Sequence, residues 1–373
     1  MYCKKVSLTD FRNVNEAQIE FCDGINVLAG ENAQGKTNLL EAIFFASVGR
    51  SFRASSTSEM IRFGKKSSVV SVDYMREKKE RSDNITIHLF SDKKKTVEKN
   101  HLRVERLSDI VGSFRSVLFC PEHLSLIKDG PLERRTYLDI AISRISPKYI
   151  HSLQRYSYFL KQRNALIKSA NQNRAAFDAT IDLWSEQLAA EAAEISAQRI
   201  QFIKRVGNIV SECFEEMTGK KENVELIYRG SASLSDDEYY DKEAVKQKYI
   251  SLLSSSHDRE ILVGSTLWGV HKDDIEIKLN SKNARAFASQ GQQRSLALAL
   301  KLAEGEICKE EFGDYPVFLF DDVLSELDET RRDYMIRFAT GKQVIITTCE
   351  MGVLNNLKAD KKILVENGTY REI

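Results

Sequence analysis

An α/β fold, with a mixed sheet and flanking helices, an antiparallel β-meander and an inserted helical arm, is what this sequence predicts, and three observations predict it. The short apolar run Ile25–Ala29 leads straight into Gly30-Glu31-Asn32-Ala33-Gln34-Gly35-Lys36-Thr37, a complete G-x-x-x-x-G-K-[ST] pattern. A second apolar run, Val317–Phe320, ends in two acids, Asp321 and Asp322. Between them, apolar residues from Tyr149 to Cys213 recur at three- and four-residue spacing, the period of an amphipathic helix.

The first elements are strands. Val6–Leu8 and Ala17–Phe21 alternate like a pair, and Ile25–Ala29 has the continuous apolar character of a central strand. A helix start follows at Leu39–Phe45. Val69–Tyr74 and Ile85–Phe90 alternate again and begin an antiparallel meander reaching Val104, which is basic: from Arg76 to Arg106 ten cationic residues face six acids. From Arg144 to Arg174 there are seven basic residues and no acid. Tyr149, Leu153, Tyr156, Leu160 and Ile167 give that stretch one apolar face, so its outer face is basic.

After the polar break at 169–174, Ile181, Trp184, Leu188, Ile195, Phe202, Ile209 and Cys213 mark a second helix, about 55 Å long at 1.5 Å per residue. The two make a projecting helical hairpin. Val224–Arg229 returns to strand alternation, Ser231–Asp241 is an acidic surface loop, and Leu296–Ile307 is helical. Pro316–Phe320 and Val344–Thr348 read as buried strands, and Lys362–Glu366 with Thr369–Glu372 closes as a hairpin around Asn367-Gly368. These transitions divide the chain into a first part of a head, 1–110, a helical arm, 111–258, and a second part of the head, 259–373.

Composition sets the class. The 373 residues, 42% hydrophobic and 29% charged, describe an ordinary globular chain of about two domains and exclude collagen-like, mucin-like and disordered proteins. With 55 Lys and Arg against 54 Asp and Glu, no whole-chain charge favours a polyanion, so any such case rests on local charge. The longest apolar stretch, Leu39–Val48, is broken by Glu41 and Ser47 and is too short to span a bilayer. The N-terminus lacks a signal-peptide pattern, which points to the cytoplasm. The six cysteines are scattered without a C-x-x-C pair and read as reduced, mostly buried side chains.

The glycine pattern carries nucleotide chemistry. Gly30 and Gly35 permit torsions that turn successive N–H groups toward a phosphate, and the helix that follows adds its N-terminal partial charge. Lys36 neutralises the β- and γ-phosphates of ATP, and the Thr37 hydroxyl ligates Mg²⁺. Asp321 reaches the same metal through water, leaving Asp322 to orient or deprotonate the attacking water.

A third element narrows the class. Ser289-Gln-Gly291-Gln292-Gln-Arg294 precedes a helix and stands before the acid-tipped strand, with Ser325-Glu-Leu-Asp328 after it. That order resembles the signature motif, Walker B strand and D-loop of an ABC-type P-loop ATPase head. Thr9-Asp-Phe11-Arg12-Asn13, the segment from Phe119 through Pro121 to Pro131, Arg134–Asp139, Leu160–Asn164, His271–Asp274 and Ala288–Leu296 extend the match over nearly the whole chain. In that order they resemble the RecF family of bacterial recombination-repair proteins, compact relatives of SMC proteins with a short helical arm in place of a long coiled coil.

The resemblance implies ATP and Mg²⁺ as cofactors and an ATP-dependent homodimer. In it Ser289, Gly291 and Gln292 of one copy complete the nucleotide site of the other, and Arg12 and Asn13 meet the base or ribose. It further implies binding of duplex and gapped DNA at single-strand/duplex junctions, with weak DNA-dependent hydrolysis serving as a switch. RecR and RecO would be partners and RecA an indirect one, in gap repair, replication restart and the SOS response, in a cytoplasmic, nucleoid-associated setting without a membrane partner.

Several features depart from a generic ABC head. No glutamine occurs between Gln34 and Gln154, so the usual Q-loop ligand is missing and the Pro121-Glu122-His123 turn is the nearest substitute. Thr347-Thr348-Cys349 stands where many such ATPases place a switch histidine, the second acid is Asp322 rather than Glu, and Trp268-Gly-Val-His271 lacks the expected proline. The first three point to slow turnover, and the missing proline bears only on local loop geometry. Lys148, Arg155, Lys161, Arg163 and Lys168 are the expected DNA contacts on the hairpin, whereas the helical spacing of Tyr149, Tyr156 and Tyr158 favours hairpin core over base stacking. His271 with Asp273 and Asp274 has the composition of a metal cluster, but ordering of the signature loop by hydrogen bonds is the favoured role. A transporter cassette is disfavoured by the missing glutamine and the basic arm, and a small-molecule kinase would not need Ser289–Arg294. A purely structural tether is the alternative that remains, against which the short arm counts.

Overall fold

The computed structural model describes residues 1–76, 81–219, 222–349 and 359–373. Lys78 and Lys79 of the basic meander lie outside them. The chain divides into two compact units, Met1–Leu124 with Glu212–Lys221 and Arg294–Ile373, and Ser125–Ser211 with Glu222–Gln293.

The first unit holds two six-stranded sheets. One is antiparallel throughout, in the order Val14–Glu20, Tyr2–Phe11, Ser67–Met75, Asp83–Phe90, Thr96–Lys99, Leu102–Val104. Its registers, Val6 opposite Ile19, Leu8 opposite Ala17 and Val72 opposite Ile85, follow the alternation of the sequence, because one face of each strand is buried. Tyr2–Phe11 also pairs with Ser67–Met75, so the N-terminal hairpin and the meander are one sheet. Alternation alone does not specify that pairing.

The other sheet runs Thr369–Glu372, Lys361–Glu366, Ile25–Ala29, Val344–Thr348, Val317–Asp321, Ser116–Phe119. It is parallel except for its terminal hairpin. Every residue of the three central strands is buried, which is why they read as continuous apolar runs rather than alternating ones. The helix Lys36–Val48 touches strands of both sheets, and so is apolar all round. The only described charged side chains on it are Lys36 at its first turn and Glu41, which is fully buried.

The second unit contains the helices Pro131–Ile145, Pro147–Ser169, Lys242–Ser254 and His257–Val263, most of the 45-residue helix Arg174–Thr218, and a small antiparallel sheet of Val224–Arg229, Asp274–Leu279 and Lys282–Asn283. Two strands lie across the boundaries drawn from sequence. Ser116–Phe119 is hydrogen-bonded to the Val317–Asp321 strand, and Asp274–Leu279 to Val224–Arg229. Such partners are distant in sequence and leave no trace in local composition.

The arm interior is built on buried arginines. Arg199, 2% exposed, donates to Tyr149 Oη at 2.9 Å, Val270 O at 2.8 Å, Asp273 Oδ2 at 3.0 Å and Asp139 Oδ1 at 2.9 Å. Asp273 also accepts from Tyr228 Oη and from Ser231 N. Asp274 is engaged by both arms of the Arg134 guanidinium, at 2.7 and 3.0 Å. His271 takes a third direction: its Nδ1 accepts from Tyr156 Oη at 2.6 Å and its Nε2 faces Thr266 O at 3.2 Å. The three residues thus serve separate partners, and no metal-holding cluster is found among the described residues. Tyr149 and Tyr156 are core side chains, but Tyr158 is not, being 54% exposed.

Candidate nucleotide site

The site is assembled within the first unit by two strand ends and one helix start. At the end of Ile25–Ala29 the chain turns through Gly30, whose φ of 158° side-chain-bearing residues rarely adopt and where a Cβ would come within 2.3 Å of Val365 O. Gly35 at φ 118° opens the helix Lys36–Val48, and between the two glycines Ala33 adopts φ 63°. Lys36, 6% exposed, turns back over this loop and donates to Gly30 O at 2.6 Å and Glu31 O at 2.7 Å, with Cys349 Sγ 3.3 Å away. Cys349 Sγ in turn donates to Asn32 Oδ1 at 2.8 Å. The segment Thr347-Thr348-Cys349, where such ATPases place a switch histidine, therefore touches the phosphate loop through Cys349.

The two acids lie beside this loop. Asp321 Oδ1 accepts from Thr37 Oγ1 at 2.9 Å and from Thr347 Oγ1 at 2.7 Å. Burial pushes the Asp321 carboxyl above its ordinary value; the two hydroxyls pull it back toward the charged form, and Glu122 adds a smaller upward push. Thr347 Oγ1 also accepts from Asp322 N at 2.9 Å, so one hydroxyl ties both acids to the neighbouring strand. Asp322 has φ 51°, a left-handed torsion costing about 1 kcal/mol in a side-chain-bearing residue. Ser325 Oγ donates to Asp322 O at 2.8 Å and braces that turn. The oxygen donors Thr37 and Asp321, the tight glycine cradle and the lysine at its mouth fit a metal-bound triphosphate.

Three features of the site were not read from sequence. The closing hairpin braces the phosphate loop: Asn367 N donates to Gln34 Oε1 at 2.6 Å, Gly368 N to Gln34 O at 2.8 Å and Tyr370 Oη to Gly35 O at 3.0 Å. Thr347 is the second. The third is the pair of Arg12 with buried Glu41, bidentate at 2.8 and 2.6 Å, while Arg12 Nη1 donates to Glu59 O at 2.7 Å. The Arg12 guanidinium is thus held by the head's own helix. Asn13 Nδ2 reaches Gln34 O at 3.3 Å, and Asn38 Nδ2 donates to Asn13 Oδ1 at 2.7 Å. An Asn-Gly pair and a threonine at a strand end were the available signals, but neither says which loop it will meet.

Ser289, Gly291 and Gln292 belong to the second unit. Ser289 is exposed and caps its helix: its hydroxyl accepts from Gln292 N at 3.3 Å, and its own N–H donates to Gln292 Oε1 at 2.8 Å. Gln292 Nε2 donates to Glu222 Oε1 at 2.8 Å.

The five basic residues of the hairpin separate sharply. Arg163 is fully buried and spends its guanidinium on Ser185 Oγ, Thr266 Oγ1 and Glu260 Oε2, at 2.9, 2.9 and 2.6 Å, so the expectation that it contacts DNA is corrected. The signal was present: Arg163 stands seven residues after Tyr156 and four before Ile167, on the apolar stripe. Arg155 pairs with Glu191 at 2.6 Å and Lys148 with Glu194 at 3.0 Å, so their charge is partly neutralised. Lys161 and Lys168 are exposed and form no ion pair among the described residues.

Comparison with known proteins gives a consistent result. The family model described as RecF/RecN/SMC N terminal domain matches residues 2–371. The chain is 40% identical over 359 residues to the DNA replication and repair protein RecF of Pediococcus pentosaceus, covering 96% of this chain and 95% of that protein. It is 35% identical over 374 residues to that of Clostridium novyi, covering both in full. It superposes with a TM-score of 0.91, at 34% identity and over 100% of this chain and 99% of the other, on the recombination mediator protein RecF–ATP of the RecFOR pathway. An Smc head bound to the C-winged helix domain of ScpA, at 18% identity and a TM-score of 0.59, shares the fold. The head is thus an ABC-type P-loop ATPase fold.

Proposed function

The chain belongs to the RecF family, within the wider RecF/RecN/SMC N-terminal-domain group, and on that premise we propose that it is an ATP-operated DNA-binding switch of gap repair. ATP induces a homodimer that binds duplex DNA and single-strand/duplex junctions, slow hydrolysis releases it, and RecR and RecO act with it to load RecA in replication restart and the SOS response. The setting is cytoplasmic and nucleoid-associated; no helix among the described residues is long and apolar enough to cross a membrane.

The observation that carries this reading is the meeting of Lys36, Thr37, Asp321 and Asp322 around one phosphate loop. Lys36 would exchange its carbonyl partners for the β- and γ-phosphates, and Thr37 and Asp321 would hold Mg²⁺. Bound ATP supplies a γ-phosphate that can be recognised and then removed. Asp322 would orient or deprotonate water, and its short side chain, the missing Q-loop glutamine and Thr347-Thr348-Cys349 in place of a switch histidine all favour a slow reaction. The exposed start of the signature helix at Ser289 would exchange its capping bonds for a second copy's triphosphate.

Sedimentation with a non-hydrolysable ATP analogue, with and without gapped duplex, tests the proposal. The parent should dimerise, Lys36→Met should neither bind nucleotide nor dimerise, and Ser289→Arg should bind nucleotide as a monomer. A parent that stays monomeric with saturating analogue and gapped duplex defeats the reading.

A further inference from the structure

The helix Pro147–Ser169 carries no Asp or Glu. Along one stripe of it, at alternating three- and four-residue steps, Gln154, Tyr158, Lys161, Ala165 and Lys168 are all exposed. Tyr158 is held in place: its ring lies edge-on to Trp184 at 6.2 Å and to Phe159 at 5.6 Å. Lys161 and Lys168 line an open groove of about 500 Å³ together with Ser157, Leu160, Asn164 and Ala165. They stand about 10 Å apart along the axis, seven residues at 1.5 Å each. The other cations of this helix are paired: Arg163 is buried against Glu260, and Arg155 and Lys148 are partly neutralised by Glu191 and Glu194.

We propose that this stripe is the seat of an unpaired nucleic-acid strand, with Tyr158 stacking on a base and Lys161 and Lys168 meeting its phosphates. The inference rests on the DNA-binding reading above and deepens it. A duplex hides its base faces, so a supported, half-exposed aromatic ring that shares one helix stripe with two cations is of use only to a strand whose bases are open. The hairpin core does not explain the ring, since Tyr149 and Tyr156 already fill that role. Two lysines without partners among the described residues, on a helix without acids, attract a backbone of negative charge and carry no sequence preference.

Anisotropy of labelled oligothymidylate and of blunt duplex, each with the full chain and ATP, tests this. Tyr158→Leu should weaken oligothymidylate binding roughly tenfold and leave duplex binding unchanged, and Tyr158→Phe should behave as the parent. Replacing Lys161 and Lys168 together by Ala should lower the salt slope of oligothymidylate binding by about 1.4, twice the 0.7 expected per single-strand phosphate. If the parent binds both DNAs and Tyr158→Leu binds oligothymidylate equally well, or loses both DNAs in the same proportion, the inference is overturned and the DNA reading stands. A parent that binds no DNA overturns both.

Discussion

Thr37 Oγ1 donates to Asp321 Oδ1 at 2.9 Å, so the first turn of the phosphate-loop helix and the end of the central acidic strand meet although 284 positions separate them. The contact makes a small cluster of oxygen donors suited to a hard divalent cation, and it favours the charged form of a carboxyl that burial pushes toward the neutral one.

Asp321→Asn keeps the acceptor for Thr37 and removes the charge. Nucleotide affinity in Mg²⁺ should fall at least tenfold by calorimetry, with little change in EDTA. Because burial opposes the charged form of Asp321, the variant should melt as high as the parent or higher.

Asp322→Asn retains a residue that tolerates the left-handed φ of 51°. Phosphate release in a single turnover should slow by roughly 10²- to 10⁴-fold, with ATP-induced dimerisation preserved. An unchanged rate would remove Asp322 from the reaction.

Gly368→Ala places a Cβ 3.0 Å from Asn13 O at a φ of 75°. The turn should shift and loosen its grip on Gln34, weakening ATP binding several-fold while costing about 1 kcal/mol of stability. Binding titration and thermal melting read the two effects separately, and unaltered affinity would mean the hairpin is not a brace.

Arg163→Ala leaves Glu260 buried without its partner and should destabilise the chain by about 3–5 kcal/mol. Lys161→Ala, two residues away on the exposed face, should change stability by less than about 0.5 kcal/mol. Equal melting temperatures for the two variants would contradict the burial of Arg163.

Burial pushes the His271 imidazole down to about 4 from an ordinary 6.5, with Lys272, Arg135 and Arg163 adding to the effect and the bond to Thr266 opposing it. Between those values the unfolded chain binds a proton that the folded chain refuses. The stability contribution is therefore complete above pH 6.5 and is lost as pH falls toward 4, at up to about 1.4 kcal/mol per pH unit. His271→Gln should flatten that part of the pH dependence in chemical denaturation, and a slope identical to the parent's would disprove the assignment.

Local order was legible wherever the physics is local. Gly30 to Thr37 is read directly because successive residues form the cradle, Val344–Thr348 because a strand buried on both faces opens on the unbroken apolar run Val344-Ile345-Ile346, and Asn367-Gly368 because both residues take positive φ, 49° and 75°, in the turn they predict. Spacing placed Tyr149 and Tyr156 in the core correctly, but Tyr158, read with them, is exposed.

What contiguous residues determined by themselves is therefore the nucleotide chemistry, the strands and helices that carry it, and the basic character of the arm. Tertiary structure alone decided that the C-terminal hairpin grips the phosphate loop, that Thr347 joins the two acids, that Arg12 serves Glu41, and which arm cations are spent. The reason is that each of these depends on which distant group comes within 3 Å of a side chain. Hydrogen bonds and ion pairs act over that length, and neither composition nor periodicity encodes the encounter.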